Sequence, residues 1–410
     1  MTLCSLVRMS AGLLLSFAWP GLCPSGPCAA QAQVAPTTES NHPLVNNRYS
    51  YLTRGKGAIF AALFAGDIET ASRRGRRLHH DIVATLGENH PDSVFSSATR
   101  EDNEALPRLS NSQRQQFVSA YRERRLAFAE ISKMMNQPMP DDEQLVSSYR
   151  DVLSASHEMQ ELLAADSSYL SECENMLGSV CLISRDFDGA TAFYRLESPF
   201  LNQFPHDVPL HFIYRVTLAS LLMELSRDED RQKAELQAAI EFSKKWQTEG
   251  QFRFWEERSM TVLAEAHYRA GSHEEADRLY AEVSSRLPEK VTHRVAGWCQ
   301  SWCDRHDARR LMEKGEWDAA YNKVVLARAG TIDFGVYNLN KGLTMERILR
   351  MSAEIQRKRG NHEEAQADQE YADRIAAHAV KLRAALEAER KKLDTEQAAD
   401  APAPLPPVGQ

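Results

Sequence analysis

Apolar residues along this chain recur at the spacing of α-helices, and stretches that alternate apolar and polar residues are scarce. The clearest segment carries Ala276, Leu279, Tyr280 and Val283, which lie at i, i+3, i+4 and i+7 on one helical face. Other amphipathic helices are predicted over residues 111–135, 141–170, 210–225 and 233–246. The pattern therefore predicts an all-α protein.

Three turns in the C-terminal half share a glycine, a short acidic spacer and an alanine. They are Gly271 to Ala276, Gly315 to Ala320 and Gly360 to Ala365, and their glycines lie 44 and 45 residues apart. A helical segment precedes and follows each turn. Glycine adopts a backbone conformation that costs larger residues, and the small alanine lets two antiparallel helices approach closely. These segments are predicted to be helical hairpins that repeat along the chain.

Two more segments look like copies of the same unit. In residues 171–205 the turn runs from Asp186 to Ala190, with Arg185 at the glycine position. Near the N-terminus, Gly66 is followed by acidic residues and Ala71. The repeats are thus expected to extend into a less regular N-terminal half.

These residues resemble the tetratricopeptide repeat, which has a glycine at the turn between helices and alanine and aromatic residues along the second helix. The resemblance covers residues 257–290 and extends to about 301–334 and 346–379. Residues 86–92, Leu-Gly-Glu-Asn-His-Pro-Asp, are similar to the connection in the longer repeats of the kinesin light chain class. The resemblance implies an α-solenoid of stacked hairpins, whose groove over residues 170–380 holds a peptide.

The two ends of the chain have different compositions from the repeats. Residues 1–32 have the layout of a signal peptide cleaved near Ala32, which predicts export to the periplasm or the exterior. Residues 33–47 and the Pro/Ala-rich residues 401–410 are predicted to be unstructured. Between them we expect a degenerate helical region over 48–170, the repeat array over 171–379 and a charged, solvent-exposed helix over 380–400.

Charge argues against a nucleic-acid partner. Lys and Arg number 49 against 57 Asp and Glu, for a net charge of −8, whereas phosphate binding usually requires a basic excess. The nearest basic cluster, Arg73 to Arg77, is interpreted as a solvated helix face. After the signal region, no segment is long and apolar enough to span a membrane.

The sharpest candidate for site chemistry is the group Cys299, Cys303 and His306. On a helix these residues fall within about 60° of one another, so they could bind zinc or copper. The alternatives are that both cysteines are small core residues or form a local disulfide, for which their spacing is just within range. Cys173 and Cys181, about 12 Å apart along a helix, cannot form one.

Aromatic residues are concentrated between positions 246 and 317. Most are expected in the core, and Trp255, Trp298 and Trp302 are candidates for partner contacts if the concave face exposes them. We therefore predict a scaffold that binds a protein or peptide, without catalysis or a cofactor and with no prediction of oligomeric state. The alternatives are a metal-handling module through Cys299, Cys303 and His306, or an enzyme with a site in residues 95–170.

Overall fold

A computed structural model describes residues 43–88, 90–135, 137–204, 209–246, 253–334 and 341–400. Within these ranges the chain forms sixteen α-helices, one short 3-10 helix over Leu106–Arg108 and no β-strand, so the predicted all-α class is confirmed. The helices are α1 (Pro43–Ala65), α2 (Ile68–Leu86), α3 (Pro91–Ala105), α4 (Asn111–Met134), α5 (Asp142–Gln160), α6 (Ser168–Ile183), α7 (Phe187–Phe193), α8 (Pro199–Asn202), α9 (Pro209–Glu224), α10 (Glu229–Trp246), α11 (Trp255–Arg269), α12 (His273–Arg286), α13 (Arg294–Glu313), α14 (Trp317–Phe334), α15 (Lys341–Lys358) and α16 (His362–Asp400).

Successive helices pack against each other in a solenoid-like order. The closest pairs include α1 with α2, α4 with α5, α11 with α12, α13 with α14 and α15 with α16. First helices of neighbouring hairpins also touch, as α9 does with α11 and α11 with α13. Each hairpin therefore covers its apolar face with the next one, which is the way repeat arrays build a continuous core.

Six hairpin turns share one backbone geometry. Gly66, Gly271, Gly315 and Gly360 have φ between +75° and +83°, and Arg185 and Ser226 adopt the same left-handed region with φ of +60° and +51°. In each turn the next residue donates its N–H to a carbonyl five positions back, as Ser272 does to His267 at 2.9 Å. This bond closes the last turn of the first helix, and the left-handed φ that it requires of the preceding residue explains the preference for glycine.

A buried alanine follows five of these turns at a constant distance. Ala71, Ala190, Ala276, Ala320 and Ala365 are each five residues after the left-handed position, and all are almost completely buried. The turn at Ser226 has one extra residue, and buried Gln232 stands where the alanine would be. From Arg185 onward, the left-handed residues of these turns lie 41, 45, 44 and 45 residues apart. The hairpin at Ser226 therefore belongs to the same series, although it has neither the glycine nor the alanine.

Local hydrogen bonds explain where several helices begin. Asp67, Asp141 and Asp186 each accept a backbone N–H of the first turn, and Ser110 forms a reciprocal capping box with Gln113. The Ser167 side chain likewise accepts a backbone N–H, that of Tyr169, at the start of α6. The predicted single helix over 141–170 is therefore wrong: α5 ends at Gln160 and a separate helix begins at Ser168.

Two predictions for the ends of the fold also need correction. Residues 43–47, predicted to be unstructured, belong to α1, which begins at Pro43 because proline is tolerated in a first helical turn. Residues 380–400, predicted to be solvent-exposed, continue α16, where Leu382 and Leu386 are 0% and 2% exposed. The predicted signal peptide, residues 33–42 and the tail over 401–410 lie outside the described residues.

Candidate functional site

The inner face predicted to hold a peptide is filled by the chain's own side chains. The helices α6, α9, α11, α13 and α15 converge there around a cavity of about 50 Å³. Leu182, Val216, Val262 and Leu343 supply much of its apolar lining, and the buried Arg258 also lines it. A cavity of this size holds a few water molecules, far less than a peptide occupies.

Ion pairs bridge this inner face between helices that are distant in sequence. Arg347 of α15 contacts Glu224 of α9 through both guanidinium nitrogens, at 2.9 and 2.5 Å, and Arg269 of α11 reaches the same carboxylate at 2.9 Å. Arg185 pairs with Glu346 at 2.5 Å. Bidentate arginine–carboxylate pairs fix the relative orientation of their helices. These pairs tie α9, α11 and α15 together across the surface where an open groove was expected.

The three candidate partner tryptophans lie inside this packing. Trp255 is 1% exposed and stacks on Phe212 with ring centroids 4.3 Å apart. Trp298 and Trp302 are 4% and 9% exposed and pack on each other at 4.9 Å, while the buried Arg305 lies 4.2 Å from the Trp302 ring. None of the three is presented at the surface in the way a partner anchor would be.

The candidate metal group is also buried on α13. Cys299 and Cys303 are free thiols, so the alternative of a local disulfide is not realised. Burial raises the pKa of Cys299 to about 12 and that of Cys303 well above its usual range, which keeps both thiols protonated. His306 is held by Asp277 at 2.7 Å and stacks on Tyr280. Within the described ranges, no group of three or more His, Cys, Asp or Glu side chains is arranged to bind a metal.

A larger crevice lies between α2, α3 and the end of α8, with a volume of about 620 Å³. Val94, Ala98 and Phe204 give it an apolar lining, and they form a small cluster with Phe200. Glu88, Glu101 and Asp166 also line it with exposed carboxylates, and Glu101 pairs with Arg100 at 3.0 Å. An apolar lining with an acidic rim can bind a basic segment that carries apolar side chains.

Sequence reasoning did not single out this crevice. Glu88 belongs to the connection over 86–92, which was noted only for its family resemblance, whereas Asp166 and Phe204 come from distant segments. The Ser96 hydroxyl lies 2.9 Å from Nδ1 of His79, another lining residue, and burial lowers the pKa of that imidazole. A site assembled from α2, α3 and α8 has no local periodicity from which it could be recognised.

Comparison with known proteins does not identify a relative. A scan of protein-family models finds no match for the chain, and a search of curated proteins finds no significantly similar sequence. The resemblance to tetratricopeptide repeats therefore remains a prediction. No helix in the described part of the chain combines the length and apolar character needed to cross a membrane.

Proposed function

We propose that this protein is a non-catalytic scaffold that binds a protein or peptide partner, and that the crevice between α2, α3 and α8 receives a basic segment of that partner. The observation that carries the proposal is the lining of the crevice, in which apolar residues adjoin three carboxylates. Apolar contacts would provide affinity, and the carboxylates would select positive charge. The filled inner face argues against the location expected from the repeat pattern, a groove over residues 170–380.

The metal-handling alternative receives no support from the geometry of its residues. Cys299 and Cys303 are covered and protonated, and His306 already pairs with Asp277. Thiols bind metal ions as thiolates, so binding there requires α13 to expose them first. A scaffold role needs no such rearrangement of the core.

The test is affinity capture from a native extract with a charge-reversed crevice. The variant carries Glu101→Lys and Asp166→Lys, which reverse two carboxylates of the rim. A matched control, Glu289→Lys with Glu354→Lys, makes the same change of net charge at exposed positions outside the crevice.

We expect wild-type and control proteins to retain the same specific partner and the crevice variant to lose at least nine-tenths of it. Capture of one unchanged set by all three proteins would show that the crevice is not the binding surface. If the wild-type protein retains nothing beyond bare resin, the scaffold function itself is rejected.

A further inference from the structure

The C-terminal part of α16, residues 376–393, packs on the N-terminal half of the molecule instead of extending into solvent. Ala379, Leu382 and Leu386 are buried, at positions i, i+3 and i+7 of one helical stripe. Both leucines join the hydrophobic core that contains Tyr149 and Val152 of α5. On the other side of the same helix Val380 is 72% exposed. This is the contact pattern of an amphipathic helix bound in a groove.

Charged residues flank the buried stripe on both sides. At one end of the contact, His378 and Lys381 reach Asp142 of α5 at 2.8 and 2.7 Å. His378 also lies 2.8 Å from the carbonyl oxygen of Pro140. The acidic Asp142 thus pairs with the basic face of the first bound turn.

The other end of the contact has both signs of charge. Arg150 forms a bidentate pair with Glu389, and the distance of its second bond is 2.8 Å. Arg390 lies 3.4 Å from Asp186 and donates to the Tyr149 hydroxyl at 3.2 Å. Because basic and acidic partners occupy defined positions along the groove, the contact specifies the direction and register of the bound helix.

The contact is specific, but its apolar part is small. Three apolar side chains are buried, and Arg150, Lys381 and Arg383 at its rim are 43%, 76% and 45% exposed. Ion pairs at such positions contribute little and are screened by salt. A competing helix with better anchors can therefore replace this one.

We propose that the groove between α5 and the α6–α7 turn is a helix-binding site. Residues 376–393 occupy it from within the same chain, and a basic amphipathic helix of a partner, with leucines spaced like Leu382 and Leu386, competes for it. The two carboxylates Asp142 and Asp186 select a basic helix, and Arg150 selects an acidic residue three positions after the second leucine. This inference rests on the proposed scaffold function and adds a second surface to it.

The test uses the full chain and a fluorescent synthetic peptide of residues 374–394, with binding measured by fluorescence anisotropy. In one variant, Leu382→Asp and Leu386→Asp remove the internal anchors. We expect this variant to bind the peptide at least tenfold more tightly than the wild-type chain, whose groove is occupied. The matched control Val380→Asp lies on the exposed face of the same helix and should bind as the wild type does.

A charge swap tests the register. A peptide with Glu389→Arg should bind the anchor-deficient chain at least fivefold more weakly than the native peptide, and adding Arg150→Glu to the chain should restore its binding. A chain with Glu389→Arg alone should bind the native peptide more tightly than the wild type does. Because the Glu389→Arg chain keeps both leucines, it tests whether residues 376–393 occupy the groove even if the Leu382→Asp, Leu386→Asp chain does not fold. Loss of helical content in the circular dichroism spectrum would show that failure to fold.

Other outcomes overturn the inference. Equal peptide binding by wild-type, Val380→Asp and anchor-deficient chains would show that residues 376–393 do not occupy a helix site. A concentration-dependent dimer that the Leu382→Asp and Leu386→Asp substitutions dissociate would assign the groove to a second copy of the chain. If the peptide fails to bind while the α2–α3 crevice still captures a partner, only this inference fails, whereas loss of both rejects the scaffold function.

Discussion

Two carboxylates, the buried Glu265 between α11 and α13 and the half-buried Asp102 between α3 and α6, have opposite electrostatic settings. Glu265 lies among Arg305 at 3.1 Å, Arg309 at 2.9 and 3.1 Å and Arg269 at 3.2 Å. Burial by itself raises the pKa of Glu265, but these three arginines outweigh it and hold that pKa well below its usual range.

Asp102 at the end of α3 has no arginine partner among the residues that the structure describes. Burial raises its pKa to about 6, although the backbone N–H of Ser168 donates to it at 2.7 Å and the Ser168 hydroxyl also donates. Nearby Glu172 raises the pKa further. The comparison shows that burial alone does not set the charge of a carboxylate in this fold. The side chains that other helices bring to the carboxylate decide its charge: Arg305 and Arg309 of α13 at Glu265, and Ser168 of α6 at Asp102.

The largest expected effect comes from removing the charge of Glu265. Glu265→Gln leaves Arg305, Arg309 and Arg269 without their shared counter-charge, and removing one partner of a buried ion pair typically costs about 3–5 kcal/mol. We expect a loss of that size in the free energy of unfolding, measured with urea at pH 7. Glu241→Gln, at an exposed position on α10, should change it by less than about 0.5 kcal/mol. A loss below about 1 kcal/mol for Glu265→Gln would contradict the importance assigned to the arginine cluster.

An intermediate effect is expected from Asp102, and it depends on pH. Because its pKa is raised from 3.8 to about 6, the folded protein binds more protons than the unfolded chain between these values. The unfolding free energy contributed by this group therefore falls as the pH rises from 4 to 7, by about 2 kcal/mol.

Asp102→Asn removes this titration and keeps an oxygen that can accept from Ser168. The free energy of unfolding of this variant, relative to that of the wild type, should therefore increase from pH 4 to pH 7. Urea unfolding at several pH values measures this difference. Gln115→Ala, at an exposed position without a titratable group, should show no such trend. A stability difference between Asp102→Asn and wild type that stays constant over this range would mean that Asp102 titrates normally.

The smallest effect concerns two of the left-handed hairpin turns, those at Gly271 and Ser226. Gly271, next to the Glu265 region, has φ of +80° and open space around its Cα, so Gly271→Ala should cost about 1 kcal/mol through backbone strain alone. Ser226→Gly should stabilise by a similar amount, because Ser226 has φ of +51°. Thermal unfolding of both variants checks the signs. A destabilised Ser226→Gly would mean that the Ser226 side chain makes a compensating contact.

The local pattern was sufficient for the fold class and for most hairpins. Gly271, Gly315 and Gly360 were recognised because a left-handed turn restricts the residue type at one position. Arg185 was recognised only from its neighbours, and the turn at Ser226 was not assigned to the repeat series at all. This turn forms the same backbone hydrogen bonds, from Ser226 and Arg227, as the glycine turns do. It has serine at the left-handed position and no alanine at the fixed spacing, so the sequence pattern does not reveal it.

The site predictions were less complete because they depend on contacts between distant helices. The inner groove was expected from the repeat pattern, but Arg347 and Glu224, 123 residues apart, close it. The crevice at Glu101 and Asp166 combines α3 with the start of α6 and the end of α8. Neither feature produces a periodicity within one segment.

The sequence by itself determined that the chain forms helices, where most hairpins turn and which faces are apolar, because these properties depend on residues within a few positions of one another. Tertiary structure alone decided which distant helices meet. Those contacts bury Trp298 and Trp302, bring Arg305 and Arg309 to Glu265 and place α16 on α5. Small rotations between successive hairpins add up along the array, so contacts between its ends depend on all of them together.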